Sequence, residues 1–118
     1  MKKLALTLFL SIAICGISHA QDKEELPLGP ENWPTTVKAT VVDLISALPE
    51  EDKDAIRNTK KDDLIQYHHG WGTGIRNHYG LWRGNQELIK DACGKPCHPD
   101  DASMVIIEAV WQALQSEG

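Results

Sequence analysis

Sixteen residues in the middle of the chain, YHHGWGTGIRNHYGLW at positions 67–82, hold most of the side chains with which it could do chemistry. His68, His69 and His78 offer imidazoles, which trade protons near neutral pH and ligate metals. Arg76 offers a planar fork of donors suited to carboxylates and phosphates, and Asn77 carries a donor and an acceptor on one amide. Trp71 and Trp82 offer apolar walls with one N–H each. Converging on a concave polar site, His68, His69, Trp71, Arg76, Asn77, His78 and Trp82 would bind a small molecule or a peptide. The competing reading is structural. In it Trp71, Ile75, Tyr79 and Trp82 are core, while Arg76 and Asn77 satisfy backbone carbonyls or pair with acids.

Gly70, Gly72 and Gly74 bear on both readings. Each costs a helix interior about 1 kcal/mol against alanine. They therefore let another helix approach, break the helix, or leave room for a ligand. They do not make a phosphate loop, because Gly72-Thr73-Gly74 lacks the later glycine of a dinucleotide fingerprint and no Gly-Lys-Ser/Thr follows.

Cys93-Gly94-Lys95-Pro96-Cys97-His98 is the second group of interest. In an oxidising compartment two cysteines this close pair, and Gly94 and Pro96 supply a turn that can bring their Cα atoms within about 5.5 Å. A Cys93–Cys97 disulfide is the expectation, and the three intervening residues exclude a C-x-x-C redox motif. Covalent haem is one alternative, since C-x-x-x-C-H is one residue longer than the usual attachment signal and Met104 or another histidine would serve as distal ligand. Zinc is another, held by Cys93, Cys97 and His98, or by His68, His69 and His78 with Asp100 or Asp101. Neither H-x-x-x-H nor H-E-x-x-H is present, so no cofactor is expected and zinc and haem stand as the alternatives.

Nucleophilic catalysis has no visible machinery. No G-x-S-x-G elbow occurs, and Ser46, Ser103 and Ser116 read as helix-surface or cap positions. The acid pairs Asp62-Asp63 and Asp100-Asp101 fall where first helical turns favour acids anyway. The reading leans away from an enzyme.

The elements that must position these groups all read as helices. Val37, Val41, Leu44, Ile45 and Leu48 share one helical face after Pro34. Pro49-Glu50-Glu51-Asp52 opens a second, short helix with Ala55 and Ile56 as its apolar contacts. Thr59 reads as the N-cap of a third, with Leu64, Ile65 and His68 on its face, continuing through Trp71 and Ile75 to Tyr79 and stopped by Gly80. Asn85 caps a fourth that carries Leu88, Ile89 and Ala92 and is stopped by Gly94. Pro99, Asp100 and Asp101 open the last, whose stripe is Ile107, Val110, Trp111 and Leu114. Thr40-Val41-Val42 is β-prone, but its surroundings have helical period. The expected fold is all-α, a compact bundle of four to five short helices spanning residues 33–118.

The N-terminus is read as an address. Lys2 and Lys3, an apolar run from 4 to 17, and Ser18-His19-Ala20 have the layout of a signal peptide cleaved after Ala20. The run is too short for a membrane span. Ile14 is too bulky for Cys15 to be a lipidation site. Removing residues 1–20 would take away two lysines and no acid, so 118 residues at −5 become 98 at −7. Residues 21–32, with Pro27, Gly29 and Pro30, read as a flexible leader. The expected location is periplasmic or secreted, with no stable membrane anchor after cleavage. An acidic chain without a basic run is no nucleic-acid binder.

GWGTGIRNHYGLWRGN followed by HPDDASMVIIEAVWQAL resembles a family of small bacterial proteins known only as a domain of unknown function. The resemblance runs from Trp33 to Leu114 and rests on a G-x-G-x-x-I-R-N-x-x-G-L-W-x-G-N core and an HPDDAS helix start. It marks Gly70, Gly72, Ile75, Arg76, Asn77, Gly80, Leu81, Trp82, Gly84 and Asn85, then His98, Pro99, Asp100 and Asp101. It implies no activity. The combined expectation is an exported, non-enzymatic module that binds a protein or small-molecule partner through residues 67–82, in one version an envelope-protective or immunity-type protein that occludes a toxin. A metal- or haem-binding protein is the alternative.

Overall fold

The structure, a computed structural model, describes residues 26–117. The expected signal peptide, residues 1–20, lies outside the described residues. In chain order the elements are α1 (Val37–Ala47), α2 (Glu50–Arg57), a 3-10 segment η1 (Lys61–Tyr67), α3 (Trp71–His78), α4 (Gln86–Cys93) and α5 (Pro99–Glu117). Among the described residues there is no strand, so the all-α expectation holds.

The 19-residue α5 is the axis. Every other element packs on it. Ala102, Ile106, Ile107, Val110 and Leu114 are wholly buried on its inner face, a wider stripe than the one expected. Leu44 of α1, Ile56 of α2, Leu64 of η1, Ile75 of α3, and Leu88 and Ile89 of α4 complete one core. Polar ties fasten the far end: the indole Nε1 of Trp111 donates to Thr59 O (2.8 Å) and Arg57 Nε donates to Leu114 O (3.1 Å). At the near end, Asp91 Oδ2 of α4 accepts from Val37 N (2.8 Å), so one helix's carboxylate caps another's first turn.

Two helix starts differ from expectation. α1 begins at Val37, capped by Thr36, whose Oγ1 accepts from Ala39 N. The side-chain cap sets the start, not Pro34. Thr59 caps nothing: its Oγ1 donates back to Ala55 O, and Lys60 precedes η1 without a side-chain cap.

The expected single helix, capped by Thr59 and running to Tyr79, is two pieces. η1 winds as a 3-10 helix, which turns its apolar residues off one face: Leu64 is buried while Ile65 is exposed. The chain then turns at residues 68–70, and Gly70, in a non-helical conformation, precedes α3. The break separates η1 from α3, and both pack on α5.

Asn85 and Gly94 act as expected. Asn85 Oδ1 accepts from Leu88 N (3.3 Å), and Gly94 ends α4 with φ +74°. Cys93 and Cys97 are disulfide-bonded with Cα atoms 6.4 Å apart. A loop this short gives the bond about 2 kcal/mol of chain-entropy stabilisation. Its structural effect is to pin the start of α5 and neighbouring His98 to the end of α4.

Within the segment read as a leader, residues 28–32 are tied down. Leu28 N donates to His78 O (2.9 Å), and Trp33 N closes a turn on Gly29 O (2.8 Å). The Trp33 ring then lies on Gly80, where a Cβ would fall 2.1 Å from Trp33 Cζ3. Gly80 also has φ +75°, so it is required both by conformation and by contact.

Gly80→Ala should therefore destabilise by about 3 kcal/mol, combining left-handed strain with a steric clash. Gly84→Ala meets nothing within 4 Å at φ +102°, and should lose only the conformational part, about 1 kcal/mol. Urea unfolding of the two variants checks the difference.

Candidate functional site

Arg76 lies in the last turn of α3 and is 6 % exposed. Its Nη1 donates to Ser103 Oγ (2.9 Å), and its Nη2 donates to His68 O (3.2 Å) and Thr73 Oγ1 (2.9 Å). Its Nε faces Asp100 Oδ1 at 3.4 Å. The guanidinium thus joins α3, the turn before it and the first turn of α5. A buried cation needs such partners to replace lost water. Gly72 makes the seat: a Cβ there would lie 3.0 Å from Arg76 Nη1 and 3.2 Å from Tyr67 O.

Asp100 is the hub on the opposite side. His68 Nε2 and His98 Nδ1 lie 3.8 and 3.7 Å from its Oδ2. His98 Nδ1 also accepts from Asp100 N (3.0 Å), a side-chain cap on the first turn of α5. His68 Nδ1 is buried with no hydrogen-bond partner among the described residues. Ser103, read as a helix-surface or cap position, is wholly buried, and its Oγ donates to Asp100 O (3.0 Å). Neither Ser103 nor Asp100 stood out as a partner of Arg76. The HPDDAS run carried both, but nothing local says which face of α5 meets α3.

The loop 79–85 projects from the same end. Asn85 is 2 % exposed, and its Nδ2 donates to Tyr79 O (2.8 Å) and Pro34 O (3.0 Å). With its Oδ1 on Leu88 N, one amide holds three segments. Leu81 N returns to Arg76 O (3.1 Å), and Asn85 N to Gly80 O (3.0 Å). The loop is therefore closed by its own backbone, with Leu81 as a buried anchor. Trp82 beside it is 56 % exposed, not core, and its ring meets the edge of His98 at 5.2 Å. Arg83 lies 5.4 Å over the Trp33 ring and donates to Asn77 O (2.8 Å).

The seven residues singled out from sequence are divided between surfaces. His68 and Arg76 meet Asp100, with Trp82 reaching the group through His98. Trp71, Asn77 and His78 line a separate cavity of about 540 Å³ that also includes Asp43 and Tyr79. His69 is exposed, with its ring 4.9 Å from that of His68. In the cavity wall Tyr79 donates to Asp43 Oδ2. Burial first, then the hydrogen bond to and charge of Asp43, push its phenol well above the usual tyrosine range.

Among the described residues no group of three or more His, Cys, Asp or Glu is placed to hold a metal ion. With Cys93 and Cys97 bonded to each other, neither has a thiol for haem or zinc. No helix among those residues is long and apolar enough to cross a membrane.

Arg76→Met should cost about 3 kcal/mol in urea unfolding, because Asp100 and Ser103 lose their partner. Arg76→Lys should recover less than half, since one ammonium cannot reach all four acceptors. The Tyr79 shift has a sign that can be read at high pH. The neutral phenol is favoured in the folded state, so its stabilisation is complete below about pH 10, the unfolded tyrosine value, and is lost above it. The stability difference between wild type and Tyr79→Phe should be flat below about pH 10 and then fall by up to about 1.4 kcal/mol per pH unit.

No curated protein and no solved structure matches the chain. A family match covers residues 33–114, from the tryptophan against Gly80 to the last buried leucine of α5. The chain belongs to the family described as domain of unknown function DUF6794.

Proposed function

We propose that this protein is an exported, non-enzymatic binding module whose partner docks on the surface around Trp82. The observation that carries the reading is a large aromatic side chain, 56 % exposed, on a loop that the fold holds rigid. An exposed tryptophan gains nothing for folding that a smaller residue would not supply. On a rigid loop it loses little entropy when covered, which is the property of an interface anchor. His98 against its edge and Arg83 close by in sequence supply polar neighbours of the kind found around such anchors.

Export rests on the signal-peptide layout, with the mature chain starting at Gln21 in the periplasm or outside the cell. The Cys93–Cys97 disulfide suits an oxidising compartment. The acidic balance favours a protein partner with a basic surface and disfavours nucleic acid. An envelope-protective or immunity-type role, with the domain occluding a toxin, is the specific form of this reading. The module works without a cofactor in this account, and Arg76, with its donors engaged inside the fold, shapes the surface and does not touch the partner.

An aromatic photo-crosslinking residue in place of Trp82, which keeps a ring at the anchor position, tests this when expressed in the native host. The protein should be recovered from the envelope fraction or medium with Gln21 at its N-terminus, carrying a discrete adduct. Excess wild-type protein should compete that adduct away, and Trp82→Ala protein should not. Absence of an adduct, or equal competition by both proteins, would sink the docking surface. A retained signal peptide would sink export.

A further inference from the structure

Trp71 is the common wall of two hollows. The smaller, about 220 Å³, lies against α2 and η1 and includes Asp52 and Tyr67. The larger, about 540 Å³, lies against α1 and α3 and includes Asp43, Gly74, His78 and Tyr79. Their chemistry repeats. Each has one aspartate, Trp71, one tyrosine and aliphatic lining, and the larger adds the imidazole of His78 and the amide of Asn77. No lysine or arginine among the described residues lines either. The fold holds both phenol hydroxyls, Tyr67 against Thr59 Oγ1 (2.9 Å) and Tyr79 on Asp43.

A carboxylate beside aromatic rings recognises an alkylammonium or guanidinium group, by charge and by the ring quadrupole. Aliphatic walls take the methylenes of such a side chain. We propose that the Trp71 ridge and its two hollows are a receptor for a basic peptide segment, one lysine or arginine side chain entering each hollow. Two hollows separated by a ridge match two side chains branching from one backbone. Charge agrees: the first turn of α2, beside the smaller hollow, carries Glu50 and Glu51 as well as Asp52.

Gly74 supplies an independent reason. It sits inside α3, where glycine costs about 1 kcal/mol. A Cβ there would meet nothing within 4 Å, so no packing contact demands glycine. Its effect is to leave the wall of the larger hollow low. The receptor uses none of the residues assigned to the Trp82 surface, so the two assignments stand or fall separately.

The test is a titration of acetyl-Ala-Arg-Ala-Arg-Ala-amide into the 15N-labelled protein, following the tryptophan indole N–H resonances. The Trp71 resonance, assigned with Trp71→Phe, should shift saturably while that of Trp82 stays. Asp43→Asn keeps an acceptor for Tyr79, and it and Asp52→Asn should each weaken binding about ten-fold. Gly74→Leu should melt at or above the wild-type temperature yet lose the peptide. The proposal fails if the shift does not saturate, if the glutamate analogue of the peptide shifts it equally, or if Gly74→Leu binds normally. Spermidine binding as tightly as the peptide, with the same sensitivity to the aspartate variants, would overturn the peptide as occupant.

Discussion

A guanidinium withdrawn from water must find replacements for its N–H partners, and Arg76 finds them on three segments at once. That requirement orders much of the molecule. The backbone carbonyl of His68 must point inward, which holds the turn between η1 and α3. Thr73 must sit one turn before Arg76 on the same helix. Ser103 and Asp100 must face α3 from the first turn of α5. Gly72 must lack a side chain. Each is an ordinary residue in isolation, and each becomes constrained by one buried cation.

The same constraint sets up the surface. α3 ends in a loop that returns to Arg76 O through Leu81 N, and Asn85 closes that loop onto α1's approach and the start of α4. With the loop fixed, Trp82 has no route inward, because Leu81 already occupies the buried position. His98 is held beside it by the disulfide on one side and by its bond to Asp100 N on the other. Interior polar order thus shows at the surface as a rigid aromatic side chain. Trp71, at the other end of α3, is half-buried for a different reason. It packs edge-on against Tyr67 at 5.8 Å across the break between η1 and α3, and that break leaves hollows on both sides of its ring.

Most of the fold was legible in the sequence. Helices α1, α2, α4 and α5 follow from apolar spacing and from caps, and Asn85, Gly80 and Gly94 act as their types and positions imply. Expectation failed where local preference was ambiguous. A 3-10 segment and an α-helix present similar apolar residues over one or two turns, so η1 and α3 read as one helix. Thr59 has the chemistry of a cap but lies nearer to the carbonyls of the helix behind it. The site was legible as a region and not as a constellation. The segment 67–82 drew attention, yet its residues face more than one way, and the partners that explain Arg76 come from α5.

The sequence by itself determined the helical class, the main stops and starts, and the closure of Cys93 on Cys97, because all depend on groups a few residues apart. Only the tertiary structure decided that Arg76 is an internal tie, that Ser103 is buried, and that Trp82 stays out while Tyr79 goes in. Ser103 is 27 residues from Arg76, and which helix faces meet across that distance is set by how the whole core packs around α5. Helical periodicity shows that a face is apolar, but it does not name the residue on the other side.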